Sequence, residues 1–350
     1  MTSDDPSPLA VVVVNYGSSA LLEKNLVPLA RELSGGVVVI VDNRTTDEER
    51  ARVEALADRE SWLTVLPDGN TGFGGGMNLG VERGTRAGAH TFLLLNPDAT
   101  IEPEQLGLLL ERSRRSPLAL LSPRIIRPDG STWFDGADLY LDDGRIHSPR
   151  RRAELDPPRW EPWASGACLM VTEELWHLVG GFSDDYFLYW EDVDLSHRVM
   201  AAGGTVEVCA DVVAIHAEGG TQGDGHEVEG GPKSSTYYYY NIRNRLLFAA
   251  RNLDAADLRR WKRLVLPIAL EVLLQGGRRQ FLRSFTPFTA GYRGVRDGLK
   301  IANTTLRRTP RDRSRGARDR TASIPAHSTG YPGAGYTGSA FNDDRDPGRR

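Results

Sequence analysis

The chain has 350 residues, 40% hydrophobic and 26% charged, with a net charge of −4, the profile of a globular protein of one large or two modest domains. Two cysteines, Cys168 and Cys209, supply neither a disulfide framework nor a zinc-ligand spacing, and no apolar run approaches the roughly 18–20 residues that span a bilayer. With an acidic Met1–Pro8 that lacks a signal-peptide pattern, the expected location is the cytoplasm. Charge is uneven: residues 1–240 carry 20 Lys/Arg against 38 Asp/Glu, and residues 241–320 carry 20 against 6. That asymmetry predicts a boundary near residue 240 and a basic segment that meets an anionic surface or the acidic body.

Ala10–Tyr16 reads as a first strand, β-branched and buried on both faces. Leu21, Leu22, Leu26 and Leu29 then share a helical face behind Ser18 or Ser19 as N-cap, and Gly35-Gly36 ends the helix. Val37–Val41 is a second strand ending in Asp42-Asn43, a polar helix covers Asp47–Asp58, and Trp62–Leu66 is a third short strand. A glycine-rich turn, Asn70–Gly80, leads into another helix. It has neither the GxGxxG spacing of a dinucleotide site nor the Gly-Lys-Ser/Thr ending of a phosphate loop. Its expected use is close backbone approach to a ligand at a helix N-terminus, against the alternative of a plain tight turn. Phe92–Asp98 (Phe-Leu-Leu-Leu-Asn-Pro-Asp) is a doubly buried strand stopped by a proline. Asp98 thus stands at the carboxyl end of a central strand, where open α/β sheets bind ligands. The βαβαβ alternation predicts an α/β fold with a parallel sheet and right-handed crossovers.

Residues 117–160, proline- and arginine-rich with isolated aromatics, predict irregular strands and loops. Trp163-Ala164-Ser165-Gly166-Ala167-Cys168 is a glycine turn feeding a buried strand, and Glu173–Val179 is a short helix stopped by Gly180-Gly181. In Phe182–Arg198 aromatics crowd ahead of Glu191, Asp192 and Asp194, placed in a first helical turn where the dipole favours negative charge. The cluster is either an ordinary acidic helix start or, beside aromatic walls, a sugar site with a general base. Thr205–Val208 and Val212–Ile215 are two short strands, the second ending in His216; a lone histidine there is more often structural than a ligand. Leu258, Trp261, Val265, Ile268 and Val272 recur at helical spacing among Arg259, Arg260, Lys262 and Arg263. That is a basic amphipathic helix, kinked or split at Pro267, which lies in a membrane interface or packs on the body or another subunit. Residues 310–350 read as a disordered tail, giving domains at 1–240, 241–309 and 310–350.

Four segments, taken together and in order, resemble the family 2 glycosyltransferases of GT-A fold, and among them the bacterial rhamnosyltransferase-like group. They are Val11–Tyr16 with Val41-Asp42-Asn43, the Asn70–Gly80 loop, Leu95-Asn96-Pro97-Asp98, and Tyr189–Leu195 with His216 downstream. Tyr237–Leu247 resembles that group's tyrosine- and arginine-rich segment, so the resemblance covers about residues 8–250. It implies a GT-A (nucleotide-diphospho-sugar transferase) fold with a C-terminal helical extension, and an inverting, metal-dependent hexosyl transfer. The favoured donor is dTDP-L-rhamnose and the acceptor a hydroxyl of a saccharide or polyprenyl-diphosphate-linked saccharide in cell-wall or surface polysaccharide synthesis. By the same resemblance Asn15, Tyr16 and Asp42 hold the nucleotide, Asp42 on its base, with Asn70, Gly72, Gly74, Asn78 and Asn96 completing the donor site. Asp98 matches the last acid of the family's metal motif, written here Asn-Pro-Asp in place of Asp-x-Asp. With one acid missing, His216 becomes the second ligand of a divalent cation, Mn²⁺ or Mg²⁺, imidazole suiting Mn²⁺ better. The base falls on Asp192, with Glu191 as runner-up, and Trp163, Gly166, Tyr189 and Trp190 line the donor-sugar and acceptor side.

Two other readings keep the fold. One is a transferase of another UDP- or dTDP-sugar. The other is a nucleotidyltransferase, which would carry basic residues where Asn15-Tyr16-Gly17-Ser18-Ser19 has none. The Glu191-Asp192 pair argues against a non-catalytic binding protein. The implied partners include the inner-membrane surface and a second copy of the chain, and no nucleic acid.

Overall fold

The computed structural model describes residues 8–33, 35–154, 159–217, 233–282 and 284–307; the tail expected over 310–350 lies outside them. Runs of β-branched residues without polar alternation are stable only when covered on both faces. Accordingly β1 (Leu9–Asn15) is buried at every position and β2 (Val37–Asp42) at its last five. Between them the chain is helical, as α1 (Ser19–Leu21), a π-type stretch over Leu22–Leu26 and α2 (Val27–Glu32), with Leu22, Leu26 and Leu29 in the core. α3 (Asp47–Glu60) is capped by Thr46, whose hydroxyl accepts from the Glu49 N–H, and ends on Ser61 in the left-handed region. β3 (Leu63–Val65) pairs parallel with β2; α4 (Gly72–Arg86) then returns the chain to β4 (Thr91–Leu95), parallel to β1 and buried throughout.

The second half of the sheet is mixed. β5 (Ala99–Ile101) and α5 (Pro103–Arg115) lead to β6 (Ala119–Ile126), with β7 (Thr132–Phe134) antiparallel on it. β6 lies within the stretch expected to be irregular. Ser122-Pro123-Arg124 breaks its apolar run, and Pro123 is tolerated because the strand over Cys168–Thr172 pairs with β6 only at Leu121. β8 (Ala137–Tyr140), β9 (Ile146–His147) and β10 (Trp160–Trp163) form a small separate antiparallel sheet. β11 (Cys168–Thr172) inserts antiparallel between β4 and β6. After α6 (Glu173–Val179) and α7 (Glu191–Ala201), β12 (Thr205–His216) runs parallel to β6. The strand order is β3-β2-β1-β4-β11-β6-β12-β5. The two strands expected at 205–208 and 212–215 are one, its register shifted by a bulge between Cys209 and Val213.

Four helices follow: α8 (Ser235–Asn252), α9 (Ala255–Arg263), α10 (Val265–Leu274) and α11 (Thr286–Arg307). The composition edge at residue 240 falls inside α8, and the helices belong to the same compact unit as the sheet. The break at Leu264 puts Pro267 in the first turn of α10, where its missing N–H interrupts no helical bond. Fully buried Trp261 stacks on Phe248 with centroids 5.7 Å apart. Among the described residues no helix is long and apolar enough to cross a membrane.

α4 touches β1 through a stripe of glycines. A Cβ at Gly76 would lie 2.8 Å from Val14 Cγ2, at Gly80 2.2 Å from Val12 Cγ1, and at Gly84 2.9 Å from Ala10 Cβ. The spacing of four keeps all three on one helix face, and Met77 and Val81 bury beside them. Gly80→Ala should therefore overpack the helix against β1 and lower the unfolding free energy by about 1–3 kcal/mol. Urea denaturation measures this, and an unchanged midpoint would mean that α4 can lift without penalty.

Candidate active site

Strand register fixes where the polar ends meet. Asn15 is aligned with Asp42 and Val13 with Leu95, so Asn15, Asp42 and Asp98 all leave the same edge of the sheet. Asp42 is fully buried, one oxygen accepting from Asn15 Nδ2 at 2.9 Å and the other from Arg50 Nε at 2.9 Å. Arg50 also donates to the carbonyls of Asp42 and Pro67. Expected on the nucleotide base, Asp42 has both oxygens engaged by protein and faces no open space. Asn15 is buried too, accepting from the Ser18 N–H, while Tyr16 is half exposed. Asn43, given no role from sequence, organises the glycine loop. Its Oδ1 accepts from the Thr71 N–H and hydroxyl, and its Nδ2 donates to the Gly72 carbonyl.

The glycine loop approaches protein. Gly72 has φ +76°, and a Cβ there would lie 2.1 Å from the Phe187 carbonyl oxygen; one at Gly74 would lie 2.9 Å from Phe182 Cβ and 3.6 Å from Glu191 Cβ. Asn78 brackets the Phe182 backbone, accepting from its N–H and donating to its carbonyl, both at 2.9 Å. Gly72, Gly74 and Asn78, expected on the donor, thus fasten the 182–191 segment to α4. Asn70 stays at the exposed start of the loop, where its Oδ1 accepts from the Gly72 N–H.

The fastened segment ends in two consecutive left-handed residues, Tyr189 (φ 64°) and Trp190 (φ 75°). Neither is glycine, so each costs of order 1–3 kcal/mol that the surroundings must offset. The Trp190 ring, expected to line the pocket, is buried against Phe248 and Trp261, because a left-handed residue there turns its side chain into the helical core. Tyr189 is half-buried, edge-on to Tyr237.

Glu191 and Asp192 open α7 directly after this turn. Asp192 Oδ2 accepts from the Gly166 N–H at 3.0 Å, and its Oδ1 accepts from the Val193 N–H at 2.8 Å. The Asn96 N–H donates to the Ala167 carbonyl at 3.0 Å, which ties the Gly166 turn to the Asn96–Asp98 turn. Burial pushes Glu191 well above the usual carboxylate range, and the neighbouring Asp192 charge adds to the rise. Burial also raises Asp192, but the Gly166 and Val193 N–H groups pull it back down. The Trp163 indole N–H acts in the same direction, although it falls short of hydrogen-bond geometry. Glu191 Oε2 is buried without a partner among the described residues, as suits a neutral acid. Of the pair, then, Glu191 takes the proton first and Asp192 carries the charge. Asp194 is fully occupied, accepting from Tyr186, Arg198 and Asn252.

Asp98 and His216, 118 positions apart in sequence, are buried with Oδ1 and Nε2 3.0 Å apart. Pairing of β12 with β5 sets His216 opposite Ala99 and makes this contact. Trp133, another residue passed over in the sequence, packs its ring on His216 at 4.5 Å, and Phe134 continues the wall to Trp163. Among the described residues no group of three or more His, Cys, Asp or Glu side chains could hold a metal ion. The pair nevertheless fits two neighbouring positions of an octahedral ion, since ligands at about 2.1 Å stand about 3.0 Å apart. His216 Nδ1 has no partner among the described residues. Phosphate oxygens and water would complete such a shell, as is usual for Mg²⁺.

Comparison with known proteins agrees with this architecture. Residues 10–172 match the model of glycosyl transferase family 2, a span that ends before Glu191 and Asp192. Over 221 residues the chain is 33% identical to an N-acetylglucosaminyl-diphospho-decaprenol L-rhamnosyltransferase of Mycobacterium tuberculosis, covering 56% of this chain and 71% of that one. Over 250 residues it is 24% identical to a dTDP-rhamnosyl transferase of Shigella flexneri, covering 70% and 81%. Among solved structures it resembles GalNAc-T7 with UDP, GalNAc and Mn²⁺, with a TM-score of 0.51 and 12% identity over 75% of this chain and 55% of that one. That likeness bears on the fold alone, and the chain spans about half of that protein. The protein belongs to glycosyl transferase family 2 and has the expected GT-A fold, with rhamnosyltransferases among its relatives.

Proposed function

We propose that this glycosyltransferase moves L-rhamnose, with inversion, from dTDP-L-rhamnose to a hydroxyl of a saccharide or polyprenyl-diphosphate-linked acceptor in cell-wall or surface polysaccharide synthesis. One observation carries the reading: Asp192, the charged and more accessible member of the acid pair, is held by Gly166 beside the Asn96–Asp98 turn. That arrangement sets a base next to the strand ends where a donor diphosphate would lie. The choice of sugar and acceptor leans on the names of the two rhamnosyltransferase relatives.

In this reaction the acceptor oxygen attacks the anomeric carbon while Asp192 takes its proton. The bond from that carbon to the diphosphate breaks, and the electron pair leaves with the nucleoside diphosphate. An ionised aspartate suffices as base because the hydroxyl becomes acidic only as the new bond forms. Neutral Glu191 keeps the charge of the pair single, so Asp192 need not share its proton affinity. Asp98 and His216 would hold Mn²⁺ or Mg²⁺, which neutralises developing charge on the leaving diphosphate when bound. Tyr16, Asn70 and Asn96 meet the nucleotide, while buried Asn15 and Asp42 act from behind them, Asn15 by holding Ser18 and Asp42 through Arg50. Trp163, Gly166, Tyr189 and Trp133 face the sugars. In the cell the protein works in the cytoplasm, with the basic helical extension over 241–309 on the inner membrane surface. Leu266, Leu270, Leu282 and Phe285 are exposed there, and the exposed cations Arg263, Arg278 and Arg279 form no ion pair within the described residues.

Asp192→Asn should lower kcat by about 10²–10⁴-fold, whereas Glu191→Gln, replacing a neutral acid by its isostere, should retain most activity. The base works only when ionised, so the rate falls as pH falls through the Asp192 pKa. Burial places that limb above the usual aspartate value of about 3.9. Full turnover by Asp192→Asn would remove the base assignment. In a panel of nucleotide sugars, dTDP-L-rhamnose with Mn²⁺ should raise the melting temperature most and be turned over. Chelator, Asp98→Asn or His216→Ala should abolish the shift; a shift indifferent to all three would dismiss the cation. Anionic vesicles should co-sediment the whole chain but not one ended after residue 255, and equal sedimentation of both would place the contact elsewhere.

A further inference from the structure

α8 lies beyond the stretch matched by the family model, and no group on it has been given a part in the reaction. One of its side chains nevertheless reaches the turn ahead of the acid pair. Asn244 is fully buried, and its Nδ2 donates to two successive carbonyls, Leu188 at 3.0 Å and Tyr189 at 2.8 Å. Its Oδ1 accepts from Arg243 Nη1 at 2.5 Å, which leaves the amide nitrogen facing the carbonyls. The peptide planes fixed in this way border Tyr189 and Trp190, the adjacent non-glycine residues at φ 64° and 75°. Such residues relax readily by rotating a peptide plane unless neighbours prevent it. α8 braces the same segment with rings: Tyr237 is edge-on to Tyr189 at 5.2 Å, and Tyr240 stacks on Phe187 at 5.6 Å. Glu191 and Asp192 come immediately next.

We infer that Asn244 is a positioning residue for catalysis. By holding the carbonyls of Leu188 and Tyr189, it keeps the left-handed turn that sets the direction in which α7 starts. That direction places the Asp192 carboxylate against the Gly166 N–H. Asn244 touches no reacting atom and acts through the turn, so the inference rests on Asp192 being the base. Aspartate at 244 would present oxygen to the two carbonyls, and alanine would present nothing. Serine would retain one donor.

The test uses the full chain carrying Asn244→Ala or Asn244→Ser, assayed at a temperature where each is folded. Amide hydrogen exchange over residues 188–193 is measured beside donor KM, kcat and the pH–rate profile. Asn244→Ala should accelerate exchange in that segment and lower kcat by about 10- to 100-fold, with donor KM unchanged. Its acid limb should move as the Asp192 surroundings change, and Asn244→Ser should fall between it and the parent. Tyr189→Gly added to Asn244→Ala should recover part of the loss, because glycine adopts this φ without strain. Faster exchange with unchanged kcat would reduce Asn244 to a tether between α8 and the body, and unchanged exchange would show that the turn does not need it; either result overturns the inference. Should Asn244→Ala fail to fold, Asn244→Ser decides by the same measurements. Turnover by Asp192→Asn would remove the underlying base reading, and it is seen in a variant that leaves Asn244 intact.

Discussion

Gly72 brings its backbone so near Phe187 that no side chain fits between them, and Asn244 holds the next two carbonyls of the same segment. The segment from Phe182 to Trp190 is therefore gripped by two helices separated by well over a hundred residues in sequence. Its strained end cannot relax while both grips hold. The carboxyl pair and its Gly166 hydrogen bond depend on where that end points, while pairing of β11 with β4 carries the Gly166 turn to Asn96–Asp98. Glycine and an amide thus fix the backbone of a segment whose rings, Phe182, Tyr186 and Trp190, are buried in the surrounding core.

Electrostatics add a second layer. Two carboxyls side by side in a buried helix start cannot both ionise cheaply, and the protein resolves this by unequal solvation. Asp192 receives two backbone N–H groups, whereas one Glu191 oxygen receives none. The helix dipole favours a negative charge at this end without choosing its bearer. The choice comes from the Gly166 and Val193 N–H groups, and a Cβ at Gly166 would press on the Phe73 ring at 3.2 Å.

Much of the sheet was legible because burial on both faces leaves a continuous apolar signature, as in β1, β2 and β4. β6 was not, since Ser122-Pro123-Arg124 interrupts it, and the bulge in β12 disguised one strand as two. The acid pair and its helix start were visible from local spacing. Expectation and structure part where a polar or flexible residue has a partner distant in sequence: Gly72, Gly74 and Asn78, expected on the donor, have Phe182 and Phe187 as their protein neighbours. Asp42 was read from its strand end without Arg50, and Trp190 was read as an aromatic wall because nothing local reveals a left-handed backbone. Asn43, Trp133 and Asn244 were passed over for the same reason. Each is an ordinary residue until the fold supplies its neighbour.

The two grips on the Phe182–Trp190 segment also set an order of events as the chain is made. β1, β2, α4 and β4 can assemble from the first hundred residues, bringing Asn15, Asp42 and Asp98 to one edge early. The turn before Asp192 gains its second support only when α8, about fifty residues further on, has emerged and folded back. A newly made chain therefore has its first sheet strands in place well before the residues ahead of Glu191 and Asp192 are held at both points.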